Sequence, residues 1–108
     1  MQTEKILMTT SVAATTALTR LRLVNFAGGT CGAGARPLGT ANANYDLGEQ
    51  AGVNTHGELL VEAGAAIAAG AEVESDASGR AVTKSTGVAF GAARDAATAA
   101  GDIIRVLR

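Results

Sequence analysis

Residues 102–108 read DIIRVLR. Ile103, Arg105 and Leu107 alternate with Ile104, Val106 and Arg108, which is the two-residue period of a strand with one face toward a core. This is the strongest strand signal in the chain. It grows out of an alanine-rich corner, AATAAGDII at 96–104, and that corner has an echo in AAIAAGAEV at 65–73. Each echo is an Ala-rich turn or short helix, a glycine able to take positive φ, and a β-branched strand leading away. Two echoes are too few for a stacked solenoid, so they predict two similar corners of one β domain.

Further out the same period recurs in shorter pieces. ELLVEA at 58–63 sets Leu59 and Val61 against Glu58, Leu60 and Glu62, a strand with its acids outward. Asp76, Ser78 and Gly79 make a turn between AEVES and RAVTK, which predicts a hairpin. GVAFGAA at 87–93 puts Val88 and Phe90 on one parity. In LTRLRLVNF, residues 18–26, Leu21 and Leu23 alternate with Arg20 and Arg22, predicting a half-buried strand with a basic outer face. EKILMTTSV at 4–12 carries the parity set Ile6, Met8, Thr10 and Val12; an edge strand and an extended arm fit it equally. Between 27 and 57, eight glycines, Pro37 and the run Asn42, Asn44, Tyr45 and Asp46 predict loops around short strands. Together these features predict a mainly β fold, a small single-domain β-barrel or β-sandwich with one or two short Ala-rich helical turns. Residues 1–12 are expected to form an N-terminal arm or edge strand, and 13–108 a compact β domain.

Composition sets the limits. Alanine supplies 24 of the 108 residues and glycine 14, against 23 for Leu, Ile, Val and Phe combined. A net charge of only −1 separates such a chain from a disordered one, and leaves a domain with a thin core of small side chains. Burial against other subunits would offset that thinness, so an oligomer or a lattice-bound protein is expected. Charge is unevenly spread: four bases and one acid in 1–45, seven acids and no base in 46–76, five bases and two acids in 77–108. Pairing across one small fold is the simpler expectation, and opposite poles suited to subunit-to-lattice contacts are the alternative. The balance offers no basic face for nucleic acid, and no apolar run reaches the length of a membrane span. The stretch Ile6 to Leu18 is too rich in Thr and Ser for a secretory signal, so the chain is expected to be made and kept in the cytoplasm or in an assembly built there.

A search for chemistry yields little. GGTCGAGARPLG, residues 28–39, matches neither phosphate-loop pattern. Cys31, the single cysteine, cannot form an internal disulfide, and with the single histidine, His56, it makes no all-protein zinc site. A nucleophilic pair of the two is disfavoured, because a lone Cys in a Gly-rich segment reads as a small hydrophobe and His56 as a solvated turn residue. Glu72, Glu74 and Asp76 share a parity but lack the spacing of a calcium loop; a solvated face, or pairing with Arg80 and Lys84, explains them. No catalytic residue, cofactor or metal ligand is assigned, and no enzyme is expected.

The order EAGAAIAAGAEVESD at 62–76, GRAV at 79–82 and AATAAGDIIRVLR at 96–108, preceded by NFAGGTCGAGARPLG at 25–39, resembles the short Ala/Gly-rich capsid decoration (cement) proteins of tailed bacteriophages, long filed as a domain of unknown function. The resemblance covers most of 18–108. It implies a non-enzymatic virion protein, made in the host cytoplasm, that binds the outer surface of an icosahedral capsid. There it would cement neighbouring major capsid subunits and stabilise the DNA-filled shell, with a homotrimer expected before a dimer and neither nucleic acid nor membrane as partner. An N-terminal strand added to a capsid-protein edge would bind through its main chain, with Ile6 and Met8 filling pockets; Lys5, Ile6, Met8, Arg20 and Arg22 are the expected capsid contacts. The alternative is a small β binding module for host-surface or carbohydrate attachment, which Tyr45, Phe26 and Phe90 equip poorly with stacking platforms.

Overall fold

The computed structural model describes residues 3–108, and every regular element among them is a strand: β1 (Lys5–Ala13), β2 (Leu23–Asn25), β3 (Pro37–Ala41), β4 (Gln50–Glu62), β5 (Glu72–Ser75), β6 (Ala81–Thr83), β7 (Gly91–Ala93) and β8 (Ile103–Leu107). β8 alternates as its sequence requires, with Ile104 and Val106 buried and Leu107 exposed. It pairs antiparallel with β4 so that Val61 opposes Ile104 and Leu59 opposes Val106. All four side chains are buried, and such same-face cross-strand pairs are the stabilising unit of a sheet.

The hydrogen-bonded order is β2-β3-β4-β8-β7-β5-β6, with β1 attached to β4 outside this path. The two ends of the path almost meet. The Leu23 N–H donates to the Gly79 carbonyl at 2.7 Å, and Ala63 bridges Ala81, so one eight-stranded sheet curls into a nearly closed barrel. The hairpin at 76–79 forms as expected: the Asp76 carboxylate accepts from the N–H groups of Ser78 and Arg80 at 2.8 and 2.9 Å. The two echoed corners are turns rather than helices, and they face each other. Ile67 and Ala97 each donate an N–H to the other's carbonyl at 2.9 Å. A helix only four alanines long would leave most of its backbone groups unpaired; the bridge pairs them.

Two strand boundaries differ from the sequence expectation. The strand expected over 18–26 shrinks to 23–25 because Leu21 takes φ 68, a left-handed conformation that ends any strand. Its backbone is held there by bonds to Ala41 and Glu62 at 3.0 and 2.9 Å. At the other end of β2, Asn25 Oδ1 accepts from the Ala27 and Gly29 N–H groups at 3.0 and 2.9 Å, and the turn it closes leaves Phe26 beyond the strand and exposed. Conversely, the stretch 27–57, expected as loops around short strands, contains the first part of β4, a long strand that runs from 50 to 62. Gly52 and Gly57 hid that strand, and both have packing reasons. A Cβ at Gly52 would enter the Asn42 side chain, and one at Gly57, which has φ +121, would strike the Lys5 carbonyl.

The core has two parts. The larger gathers Leu23, Leu59, Val61, Ile67, Phe90 and Ile104 with Cys31 and several alanines. The smaller, beneath β1 and β3, is Ala14, Leu18, Val24, Ala41, Ala51 and Val53. Around them the acidic middle segment pairs with its basic flanks, the simpler of the two charge expectations: Arg22–Glu62 at 3.3 Å, Arg80–Glu62 at 3.7 Å, Arg80–Asp76 at 3.4 Å and Arg94–Glu58 at 2.9 Å.

Candidate functional site

β1 pairs only with β4, so its other edge carries unpaired backbone groups, a template for a further strand. Its first half is also apolar and unburied: Ile6 is 42% exposed, Leu7 82% and Met8 53%. The ladder explains why. Pairing runs Lys5 to Glu58 and Ile6 to Gly57, then skips Leu7 to reach Met8 with His56, then skips Thr55 to reach Thr9 with Asn54. These two offsetting bulges break the parity set Ile6, Met8, Thr10 and Val12 read from the sequence. The strand is nevertheless well anchored. Glu4 accepts from the Leu60 N–H at 3.0 Å, Thr9 Oγ1 donates to Asn54 Oδ1 at 2.9 Å, and Thr55 Oγ1 donates to the Met8 carbonyl at 3.2 Å.

Two grooves flank this half of β1. One, of about 470 Å³, is lined by Lys5, Leu7, Gly57, Glu58, Leu107 and Arg108. The other, of about 250 Å³, has Met8, Phe26, Leu38, His56 and again Arg108 in its wall. Phe26 and Leu107 are 59% and 45% exposed, so three elements contribute to one apolar ledge. Scattered exposed leucines are ordinary, whereas a contiguous set beside an open sheet edge marks an interaction surface.

Arg108 separates the grooves. Its Nη1 donates to the Leu38 and Thr55 carbonyls at 2.6 and 3.2 Å, its Nη2 to the Pro37 carbonyl at 3.5 Å, and the guanidinium lies 4.9 Å from the centre of the Phe90 ring. It fills the place where β3 and β8, both paired with β4, come end to end. Burial, and the nearby Arg36 charge, hold its pKa below the usual arginine value.

Of the expected capsid contacts, the structure brings Lys5, Ile6 and Met8 together on β1. Arg20 is exposed on the turn before β2, its N–H bonded to Asn44 Oδ1 at 2.8 Å, and Arg22 is engaged by Glu62. Leu7, Phe26, Leu107 and Arg108 were not foreseen; the alternation of DIIRVLR could have singled out Arg108, a cation on the parity of the buried Ile104 and Val106. Cys31 is buried, its thiol pushed up by burial, and its Sγ lies 3.5 Å from the Ala35 carbonyl. His56 is exposed, its Nδ1 hydrogen-bonded with Thr55 Oγ1 at 3.0 Å, and no hydrogen bond links Cys31 to His56. Glu74, buried unlike its neighbour Glu72, accepts from the Ser85 N–H. Among the described residues no three His, Cys, Asp or Glu side chains gather as a metal site would need.

The model of the phage cement protein family matches residues 1–108. No curated protein matches the chain. Among solved structures, the N base of head fiber gp8.5 in bacteriophage phi29 is similar, at 21% identity with a TM-score of 0.76, covering 94% of this chain and 93% of that one. At that identity the likeness shows a shared fold.

Proposed function

Because the chain belongs to the phage cement protein family and is a structural component of the phage head, we propose that it sits on the outer surface of the icosahedral shell and cements neighbouring major capsid subunits. The observation that carries this reading is the open, apolar edge of β1, with Phe26 and Leu107 exposed in the walls of the grooves that flank the strand. The fold leaves that surface uncovered while, among the described residues, the other large apolar side chains, Leu47 apart, are at least partly buried. In this reading residues 1–12 are the attaching element and 13–108 the body. Lys5, Ile6 and Met8 contact the shell directly, and Arg20 reaches a second subunit. A protein bound only to the assembled shell opposes its rupture by linkage, and many weak copies add up. The likeness to a head-fiber base fits a barrel whose task is to be mounted on a head.

The test is stoichiometry followed by challenge. In purified virions this protein should be present in amounts comparable to the major capsid protein, and heads assembled without it should release DNA at a lower temperature. A handful of copies per particle, or heads equally heat-resistant without it, would overturn the cementing role.

A further inference from the structure

Three cations near the ledge have no acidic partner among the described residues. The ion pairs of the barrel use Arg22, Arg80, Arg94 and Arg105; Lys5, Arg36 and Arg108 take part in none. The acid in the larger groove, Glu58, is already held by Arg94 at 2.9 Å. Arg108 is the least expected of the three, since a guanidinium surrounded by backbone carbonyls and a phenyl ring satisfies its hydrogen bonds but not its charge. Of its five N–H groups, the carbonyls take two from Nη1 and one from Nη2, leaving Nε and one Nη2 hydrogen for a ligand. In a chain of net charge −1, Lys5, Arg36 and Arg108 outnumber Glu4, the acid beside Lys5 that takes part in no ion pair among the described residues, so the ledge carries a local positive surplus that composition does not explain.

We propose that the ledge receives an extended segment of a shell subunit carrying a carboxylate between apolar side chains, the apolar groups resting on Leu7, Met8 and Phe26 and the carboxylate seated on Arg108 with Lys5 beside it. This inference rests on the docking reading above and adds the chemistry of the partner. An arginine fork recognises a carboxylate by direction as well as charge, so Arg108, in the wall of both grooves, fixes where along them the segment sits.

The experiment measures binding of the purified protein to heads assembled without it, across a series of NaCl concentrations. Arg108→Gln should weaken binding roughly tenfold or more and flatten its salt dependence. Arg108→Lys should restore the salt dependence but not the full affinity, and Leu7→Ser should weaken binding with the salt dependence intact. If Arg108→Gln fails to fold, Lys5→Gln decides the matter, because Lys5 is exposed and its loss must also flatten the salt dependence. Wild-type affinity and salt dependence in the charge variants, with Leu7→Ser impaired, would overturn the carboxylate and leave the docking surface standing. Wild-type binding by all variants would remove both. A dimer in solution that Leu7→Ser dissociates would assign the edge to a second copy of the chain and overturn the proposal.

Discussion

Of the three ladders on β4, those with β8 and with β1 differ in almost every respect. Against β8 the second half of β4 keeps unbroken register from Glu58 to Glu62, and the inward pairs, Leu59 with Val106 and Val61 with Ile104, are buried in the larger core. Against β1 its first half crosses two bulges, and the apolar residues that result, Ile6, Leu7 and Met8, point at water. The stretches that β8 and the start of β1 bring to these ladders are similarly apolar, IIRVL and KILM. What separates them is whether the barrel supplies a second layer, since a strand gains stability from its apolar face only when something covers it. The β8 ladder holds the fold together; the first half of the β1 ladder holds apolar surface in reserve for something outside it.

That contrast can be broken most sharply by truncating each side. Leu59→Ala should cost about 2–5 kcal/mol in chemical denaturation, whereas Leu7→Ala should stay within about 0.5 kcal/mol of wild type. Equal costs would mean that β1 belongs to the core after all. A smaller effect is expected at the joint between the two ladders. Gly57→Ala places a methyl group against the Lys5 carbonyl at φ +121 and should cost about 1–3 kcal/mol, with cleavage by a protease appearing first in residues 3–13 while the 58–107 ladder stays protected from hydrogen exchange. Loss of protection throughout would show the ladders to be one cooperative unit.

The smallest effect is electrostatic and belongs to the β8 side. Asp95 accepts from Arg105 Nε and Nη2 at 2.8 and 2.9 Å, and these bonds, with the Arg105 N–H and the Arg105 and Arg94 charges, hold its carboxyl well below the usual carboxylate range. A depressed folded pKa adds stability that is complete above the ordinary carboxylate value and drains away as pH falls below it. The melting temperature should therefore drop on acidification from about pH 5 downward, and Asp95→Asn should lower it at neutral pH while shallowing that drop. An unchanged acid profile in Asp95→Asn would show that other carboxylates govern acid unfolding.

Much of the barrel was legible because its core strands follow simple alternation. Leu59, Val61, Ile104 and Val106 announce themselves, and the Asp76 turn fixes the β5–β6 hairpin through bonds local to the sequence. β4 was half hidden because its first half spends side chains on neighbours rather than on a core. Gly52 makes room for Asn42, Asn54 is buried against Thr9, and Gly57 admits β1, so the glycine and amide pattern of a loop lies inside a long strand. The ledge was legible only in part for a related reason. Ile6 and Met8 stood out by parity, but Leu7 is exposed by bulges that depend on both strands, and Phe26 by the turn that Asn25 closes after β2. The alternation of DIIRVLR puts Arg108 on the buried parity, but that it meets the Pro37 and Leu38 carbonyls is a tertiary fact with no local signature.

The bridged corners at 64–71 and 94–102 lie at the other end of the β4–β8 ladder from Leu107. Their tips, Gly70 and Gly101, have nothing within 4 Å of where a side chain would begin, while the Ile67–Ala97 bridge fixes the chain at their base. Exposed tips above a pinned base are where foreign sequence is best tolerated. The barrel thus has a built-in handle: cargo grafted at either glycine would ride away from the ledge, and the two insertion points, joined by one bridge, would hold two inserts side by side.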